Sequence, residues 1–214
     1  MTNTAEESKA KHIAAMGEEL GSVYHALRQQ VAWLSLKWSE YLVLFGTRES
    51  RVILLNRASP EFALMLQNTL FESVVLNITR LTDSPQMGKK ENLSVQRLAE
   101  LVSNPETKAA VGERVDEAIS ASRFCRDWRN RHIAHSDFHL ALEQEAKPLE
   151  PASRQGIQQA VAALDAVLNV MSQHYLLGPI AFGKFNRGAE SLLYVLDAGL
   201  HAEDARQERL RSRH

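Results

Sequence analysis

The side chains best suited to chemistry in this chain are concentrated in one short segment, from Arg123 to His135. The segment reads RFCRDWRNRHIAH and holds four Arg, one Asp and two His. It is locally basic, whereas the whole chain of 214 residues has a formal net charge of −1. Histidine exchanges protons near neutral pH, and the planar guanidinium of arginine binds anions through several N–H donors. The segment could therefore bind an anion and move protons on it.

Arg129 interrupts the apolar face of the helix that this segment predicts. At about 100° per residue, five other residues share its stripe on an ideal helix: Val111, Val115, Ile119, Ser122 and Ile133. A guanidinium on an inward face is costly unless it is paired. Two explanations stay open, namely a functional site that requires Arg129 and an ion pair with Asp83, Asp127 or Asp137.

Arg129 and His135 point in different directions on such a helix. They lie six residues apart in the sequence, which corresponds to about 120° around the helix axis. Phe124 and Trp128 share the side of His135, so the helix has apolar surface on two faces. We therefore expect either that the helix ends before His135 or that a second subunit completes the site.

Arg129, Asn130 and His135 form the pattern Arg-Asn-x-x-x-x-His, which resembles the signature of HEPN domains. The wider chain, from about residue 35 to 200, resembles the abortive-infection, AbiU-type branch of that superfamily. Its further matching stretches are Trp38-x-x-Tyr41-x-x-Leu44-Phe45, residues 76–83, residues 92–94, residues 129–137 and residues 188–193. The resemblance implies an all-α, antiparallel helical bundle of HEPN type with additional helices.

Many HEPN domains are metal-independent ribonucleases that act as dimers, so the resemblance also implies an endoribonuclease of bacterial defence or toxin type. RNA is cut without a metal when a base deprotonates the 2′-hydroxyl and an acid protonates the leaving 5′-oxygen. On this hypothesis His135 transfers protons, Arg129 holds the phosphate and Asn130 orients them through a hydrogen bond. One such His per subunit leaves the second proton transfer unassigned, so we expect a homodimer with two apposed motifs.

Neighbouring side chains are candidates for binding RNA beside this site. Arg126, Arg131 and His132 could hold flanking phosphates, and Trp128 could stack on a base. RNA is the expected partner, no cofactor is expected, and an antitoxin or regulatory protein is a possible further partner. The plainer alternatives are packing for Trp128 and an ordinary helix-end position for His135.

Other functions stay open beside the ribonuclease hypothesis. One is a non-catalytic HEPN-like module for dimerisation, RNA binding or partner binding, and another is nucleotide binding without cleavage. His132 and His135 could bind a metal together with Asp137 or His139, but the Glu-x-x-His pattern of helical di-iron proteins is absent and no metal site is predicted. The lone Cys125 excludes an internal disulfide and is expected to be a small core residue.

The elements that must position these residues are predicted to be helices. Apolar residues recur at helical spacing, and no segment shows sustained period-two alternation. Thr4 and Glu7 predict a capping box at the start of a first helix, which ends near Gly46. Further helices are expected over residues 47–56, 59–81, 93–102 and 105–134, and from about residue 157 to a close at Gly178-Pro179. Apolar residues at 192–196 indicate a last helix with a charged end over residues 206–214. Loops are expected over residues 83–90 and 143–151.

The bulk composition predicts one domain over residues 1–214, with ends at 1–15 and 203–214 that could be frayed. Hydrophobic residues make up 44% of the chain, enough to bury a core. The polar start lacks the features of a signal peptide, and no apolar stretch reaches roughly 18 residues. We therefore expect a cytoplasmic protein without a membrane partner, in a reducing compartment that suits the single cysteine.

Overall fold

The computed structural model describes residues 4–46, 48–134, 138–142, 148–178 and 188–212. Within them every regular element is a helix except for one pair of two-residue strands, which confirms the all-α prediction. The chain divides into two compact units, Met1–Ser35 with Ser73–Phe182 and Leu36–Glu72 with Gly183–His214. The expectation of one domain over residues 1–214 stays a prediction alongside these two units.

The helices within the described residues are, in chain order, α1 Ala5–Met16, α2 Glu18–Tyr41, α3 Glu49–Ala58, α4 Pro60–Thr82, α5 Gln96–Leu101, α6 Pro105–Ala121, α7 Arg123–Trp128, α8 Phe138–Ala141, α9 Arg154–His174 and α10 Ala189–Arg211. Single π-helical turns follow α2 over Leu42–Gly46 and α7 over Arg129–Ile133. The predicted loop after α4 contains the antiparallel strands β1 Gln86–Met87 and β2 Lys90–Glu91. The predicted connection over residues 143–151 lies partly outside the described residues.

The first helix differs from the prediction because it is two helices. The capping box is confirmed, since the Thr4 N–H donates to Glu7 Oε2 at 2.8 Å and the Glu7 N–H donates to Thr4 Oγ1 at 3.2 Å. However, Gly17 ends α1 with a φ of 86°, a conformation that glycine adopts without strain. A Cβ on Gly21 would lie 2.6 Å from the Ile13 Cα, so the start of α2 packs closely on α1.

In the first unit, helices α6 and α9 contact each other extensively, and α2 and α4 also contribute buried apolar residues to its core. Ser153 caps α9, because its Oγ accepts a hydrogen bond from the Gly156 N–H at 3.0 Å. The predicted apolar stripe of α9 is buried at Ile157, Val161, Leu164, Leu168 and Met171. This packing stabilises the unit that carries the basic segment around Arg129.

The second unit has its own apolar core around the end of α2, α3, the start of α4 and α10. Its buried members are Leu44, Leu55, Ala63, Ala189 and Leu193. Arg57 of α3 pairs with Asp204 of α10 at 2.9 Å. Helix α10 extends to Arg211, through much of the end expected to fray.

No helix among the described residues combines the length and the apolar character needed to cross a membrane.

Candidate active site

The long helix predicted from residue 105 to about 134 is interrupted twice. At Ser122 the backbone leaves helical geometry, and the Ser122 Oγ lies 3.0 Å from both Thr82 Oγ1 and the Ile119 carbonyl oxygen. After Trp128 the helix widens into a π turn, in which the Ala134 N–H donates to the Arg129 carbonyl at 2.8 Å. The prediction of one unbroken helix over residues 105–134 is therefore wrong, and the 100° rule cannot relate Arg129 to the apolar residues of α6 across these interruptions.

Asp83 is the ion-pair partner of Arg129. The Arg129 Nη1 donates to Asp83 Oδ2 at 2.5 Å, and the Arg126 Nε donates to Asp83 Oδ1 at 3.4 Å. The Asp83 side chain is only 15% exposed, and that of Arg129 is 22% exposed. Of the three carboxylates that the sequence left open for Arg129, the structure shows a pair with Asp83, which follows α4, and Asp137 lies outside the described residues.

The end of α4 is tied to the basic segment and to α5 through its last carbonyl groups. The Arg126 Nη2 donates to the Thr82 carbonyl at 2.8 Å, and the Gln96 Nε2 donates to the same carbonyl at 3.0 Å. The last carbonyls of a helix have no partner within it and carry the negative end of its dipole. A cation and an amide therefore satisfy this terminus and fix the position of Asp83.

Arg129 is held from a second side by its neighbour. The Arg129 Nε donates to Asn130 Oδ1 at 3.0 Å, while Asn130 itself is exposed. Within the described part of the chain, Nη2 of Arg129 has no hydrogen-bond or ion-pair partner. Among the described residues, the guanidinium is thus oriented by two contacts, one through Nη1 and one through Nε.

His135, the predicted proton-transfer residue, lies outside the described residues, which omit residues 135–137. Its role therefore stays a prediction. The metal alternative also depends on His135, Asp137 and the side chain of His139, all outside the described part. Among the described residues, no group of three or more His, Cys, Asp or Glu could hold a metal ion.

The predicted RNA contacts include side chains that already have partners in the fold. Arg126 binds the end of α4, as described above, and Arg131 lies 3.5 Å from Asp127 Oδ1. The Trp128 Nε1 donates to the Glu150 carbonyl at 2.7 Å, and its ring meets the exposed His132 edge-on. Packing within the unit is thus observed for Trp128 and Arg131, and their contacts with RNA stay a prediction.

A cleft of about 370 Å³ lies beside the ion pair, and no sequence pattern predicted it. Its lining residues are Gln30, Asn77, Arg80, Leu81, Asp83, Glu91, Asn92 and Leu93. Asp83 lines this cleft and also holds Arg129. The sequence carried a signal, since residues 76–83 and 92–94 were among the stretches that resemble the AbiU branch, but no periodicity relates the two stretches to each other.

Cys125 is fully buried. Burial raises the pKa of its thiol to about 12, so the reactive thiolate form is suppressed near neutral pH. The prediction of a small core residue is confirmed.

Comparison with known protein families shows which family this chain matches. The model of the HEPN_AbiU2 family, described as AbiU2, matches residues 17–190, a range that includes Asp83, Arg129, Asn130 and His135. Comparison with curated proteins and with solved structures gives no match. The family match covers most of the chain and agrees with its all-α, HEPN-type fold. The chain therefore belongs to the AbiU2 family of HEPN domains.

Proposed function

We propose that this protein is a metal-independent endoribonuclease of bacterial abortive-infection defence, which cleaves RNA at a site formed by two copies of the chain. The observation that carries the proposal is the arrangement of Arg129. Asp83 and Asn130 orient its guanidinium, and its Nη2 edge has no partner within the described residues. This oriented cation stands six positions before His135, as the HEPN signature requires.

The chemistry follows from these groups. One histidine accepts the proton of the 2′-hydroxyl, the 2′-oxygen attacks the adjacent phosphorus, and the bond from phosphorus to the 5′-oxygen breaks. A second histidine protonates the leaving 5′-oxygen, which yields a 2′,3′-cyclic phosphate and a 5′-hydroxyl. In a twofold dimer, His135 of each copy supplies one of these two transfers. The Nη2 edge of Arg129 donates to the phosphoryl oxygens, where negative charge accumulates.

The proposal is tested by comparing the wild type with His135→Ala and Arg129→Lys. Lysine keeps the positive charge but lacks the planar donors that fit a phosphate. We expect the wild type to slow the growth of its host and to produce cyclic phosphate ends from total RNA in the presence of EDTA. Both variants should lose these effects. Arg114→Lys, at an exposed pair with Glu117 on α6, is the matched control and should behave like the wild type.

Two results would overturn the ribonuclease proposal. One is equal growth with no RNA cleavage for the wild type and His135→Ala, with both proteins folded. The other is cleavage that requires a divalent cation, which would contradict the metal-free mechanism.

One observation favours a second function, a non-catalytic module for dimerisation or for binding RNA or a regulatory protein. Four side chains of the basic segment have partners within the chain, namely Arg126, Trp128, Arg129 and Arg131. Such contacts are expected of residues that maintain the shape of a binding surface. In that case Arg129→Lys should weaken dimerisation or partner binding, and the wild type should cleave no RNA. Sedimentation velocity of both proteins, together with the cleavage assay, separates the two functions.

A further inference from the structure

The cleft beside Asp83 is built by parts of the first unit that are distant in sequence. Gln30 comes from α2, Asn77 and Arg80 come from the last turns of α4, and Asn92 and Leu93 follow strand β2. Its volume of about 370 Å³ falls in the range of roughly 300–1,000 Å³ that is usual for sites that bind small molecules. Because Asp83 lines the cleft and pairs with Arg129, a ligand in the cleft would lie next to the proposed catalytic group.

Asn92 is a fixed hydrogen-bond acceptor in this cleft. Its Nδ2 donates to the Ser84 carbonyl at 2.9 Å, and its backbone N–H donates to the Pro85 carbonyl at 2.8 Å. Its own carbonyl accepts a hydrogen bond from the Arg97 Nε at 2.8 Å. These contacts hold the residue from three directions. The side-chain Oδ1 has no partner among the described residues and is left to accept a hydrogen bond from a ligand.

Two further amides enlarge this polar lining. Asn77 is half-buried and Gln30 is exposed, and within the described residues neither side chain has a hydrogen-bond partner. An amide carries both a donor pair and an acceptor, so it can match the edge of a nucleobase. The cleft thus offers donors and acceptors whose partners would come from a ligand.

Arg80 supplies the cleft with a cation for an anionic ligand. Arg80 is exposed and has no ion-pair partner among the described residues. The partly buried Asp83 pairs with two arginines, and the Glu91 side chain, which is 78% exposed, lies 3.5 Å from Arg97. Leu93 adds a partly exposed apolar side chain. A cation, several amides and one apolar surface together match the phosphate, the edge and the face of a nucleotide.

We propose that this cleft binds one nucleotide of the RNA substrate, immediately beside the phosphate that Arg129 holds. Asn77 and Asn92 contact the edge of the base, Leu93 packs against its face, and Arg80 binds the phosphate of that nucleotide. The cleft therefore gives the enzyme a base preference at one position near the cut. This inference rests on the proposed ribonuclease function for the identity of the ligand.

The test measures binding separately from cleavage. His135→Ala serves as the background, so that RNA stays intact, and four homopolymeric hexanucleotides are titrated by fluorescence anisotropy. We expect the background protein to prefer one base, and Asn77→Ala to lose about tenfold in affinity for that base alone. Arg80→Gln should weaken all four by a similar factor, because a phosphate contact does not depend on sequence. Arg114→Gln, with its arginine on the exposed face of α6, is the control and should change nothing.

A second substitution at Asn77 keeps the test decisive if Asn77→Ala does not fold. Asn77→Asp keeps the size of the side chain but replaces the amide donors by a carboxylate, so we expect it to change which base is preferred. The inference is overturned if Asn77→Ala, Asn77→Asp and Arg80→Gln fold and keep the affinity and base preference of the background. It is also overturned if free mononucleotides compete with the hexanucleotides at equal concentration, because the cleft would then take a nucleotide without its RNA strand.

The failure of this inference differs from the failure of the proposed function. If the wild type cleaves RNA and the variants at Asn77 and Arg80 leave the sequences of the cleavage sites unchanged, the base-binding cleft is wrong and the ribonuclease stands. If the wild type cleaves no RNA but the background protein binds hexanucleotides with a preference that depends on Asn77, the ribonuclease is wrong and the cleft stands.

Discussion

Asp83 and Arg129 form an ion pair across 46 residues of sequence, with Asp83 Oδ2 accepting a hydrogen bond from Arg129 Nη1. The same carboxylate also pairs with Arg126, so one acidic side chain at the end of α4 holds two arginines of the basic segment. Their side chains are 15–30% exposed. Partial burial removes much of the solvent screening that weakens surface pairs. We infer that the orientation of Arg129 and the stability of this part of the fold depend on the same carboxylate.

Asp83→Asn removes the negative charge and keeps the shape of the side chain. Arg126 and Arg129 then lose their common counterion while they stay partly buried. We expect a loss of about 1 to 3 kcal/mol in the free energy of unfolding, less than for a fully buried pair. Urea denaturation measures this loss.

The control for this substitution is Glu117→Gln. It breaks the exposed pair with Arg114, in which both side chains are more than 40% exposed, and we expect a change below about 0.5 kcal/mol. Equal losses at Asp83 and Glu117 would show that the ion pair at Arg129 is no stronger than a surface pair.

Trp128→Phe separates packing from base stacking at the basic segment. Phenylalanine lacks the indole N–H that donates to the Glu150 carbonyl but keeps an aromatic face. We expect a loss of about 1 kcal/mol in unfolding free energy from the missing hydrogen bond, with little change in RNA affinity. Thermal unfolding and anisotropy measure the two quantities.

Trp33→Phe is the matched control, because Trp33 is 57% exposed and its indole N–H has no partner within the described residues. A Trp128→Phe protein as stable as this control would contradict the structural role of the indole. A large loss of RNA affinity at unchanged stability would instead favour base stacking.

Local periodicity predicted the parts of the fold that depend on local burial. The stripe of α9 is buried as its spacing indicated, and the capping box at Thr4 follows from two side chains three residues apart. The interruptions were missed. Gly17 does not by itself reveal a sharp break, because glycine also occurs inside helices, and Ser122 leaves helical geometry beside Thr82, 40 residues away in sequence.

The candidate site was predictable in its residue types and not in its geometry. The basic segment and its resemblance to HEPN domains identified Arg129, but the π turn that places it depends on hydrogen bonds that shift by one residue. Asp83 was one of three possible partners, and only the fold shows that it pairs with Arg129. Asn77 and Arg80 lie on the polar side of an ordinary amphipathic helix, so their placement beside Asn92 has no local sequence signal.

Because His12 is buried, we expect acid to destabilise the first unit. His12 is 2% exposed, its Nε2 lies 3.2 Å from the Arg28 Nη1, and its Nδ1 lies 3.2 Å from the His25 Nδ1. Arginine can only donate, so Nε2 of His12 accepts and the ring is neutral. Burial, followed by the positive charge of Arg28, lowers the pKa of His12 to about 4.

The sign of the effect follows from this lowered pKa. In the unfolded chain the pKa is 6.5, so below that pH the unfolded state binds a proton that the folded state excludes. The contribution of neutral His12 to the free energy of unfolding is complete above pH 6.5. It is lost as the pH falls towards 4, and this loss is at most about 3 kcal/mol. Burial also lowers the pKa of His25, which acts in the same direction.

The pH dependence is measured by urea denaturation between pH 4 and 7. His12→Gln keeps an acceptor for Arg28 and does not titrate, so we expect a smaller slope of stability against pH than in the wild type. His201→Gln, at a side chain that is 73% exposed, should keep the wild-type slope. An unchanged slope in His12→Gln would contradict the assignment.

Two glycines on helices should respond in opposite ways to alanine. A Cβ on Gly21 would lie 2.6 Å from the Ile13 Cα and 2.7 Å from the His12 carbonyl oxygen. Both are backbone atoms, so the two helices must separate, and we expect Gly21→Ala to cost about 2 to 4 kcal/mol. A Cβ on Gly112 of α6 meets no atom within 4 Å, and we expect Gly112→Ala to stabilise the protein by about 0.5 to 1 kcal/mol.

Urea denaturation of both variants tests the break at Gly17 directly. If α1 and α2 formed the one continuous helix that the sequence suggested, Gly21 would face no neighbouring backbone, and alanine would raise stability at both positions. A loss at Gly21 with a gain at Gly112 requires a close approach between α1 and α2. Because His12 lies on that same face of α1, Gly21→Ala should also weaken the dependence of stability on pH.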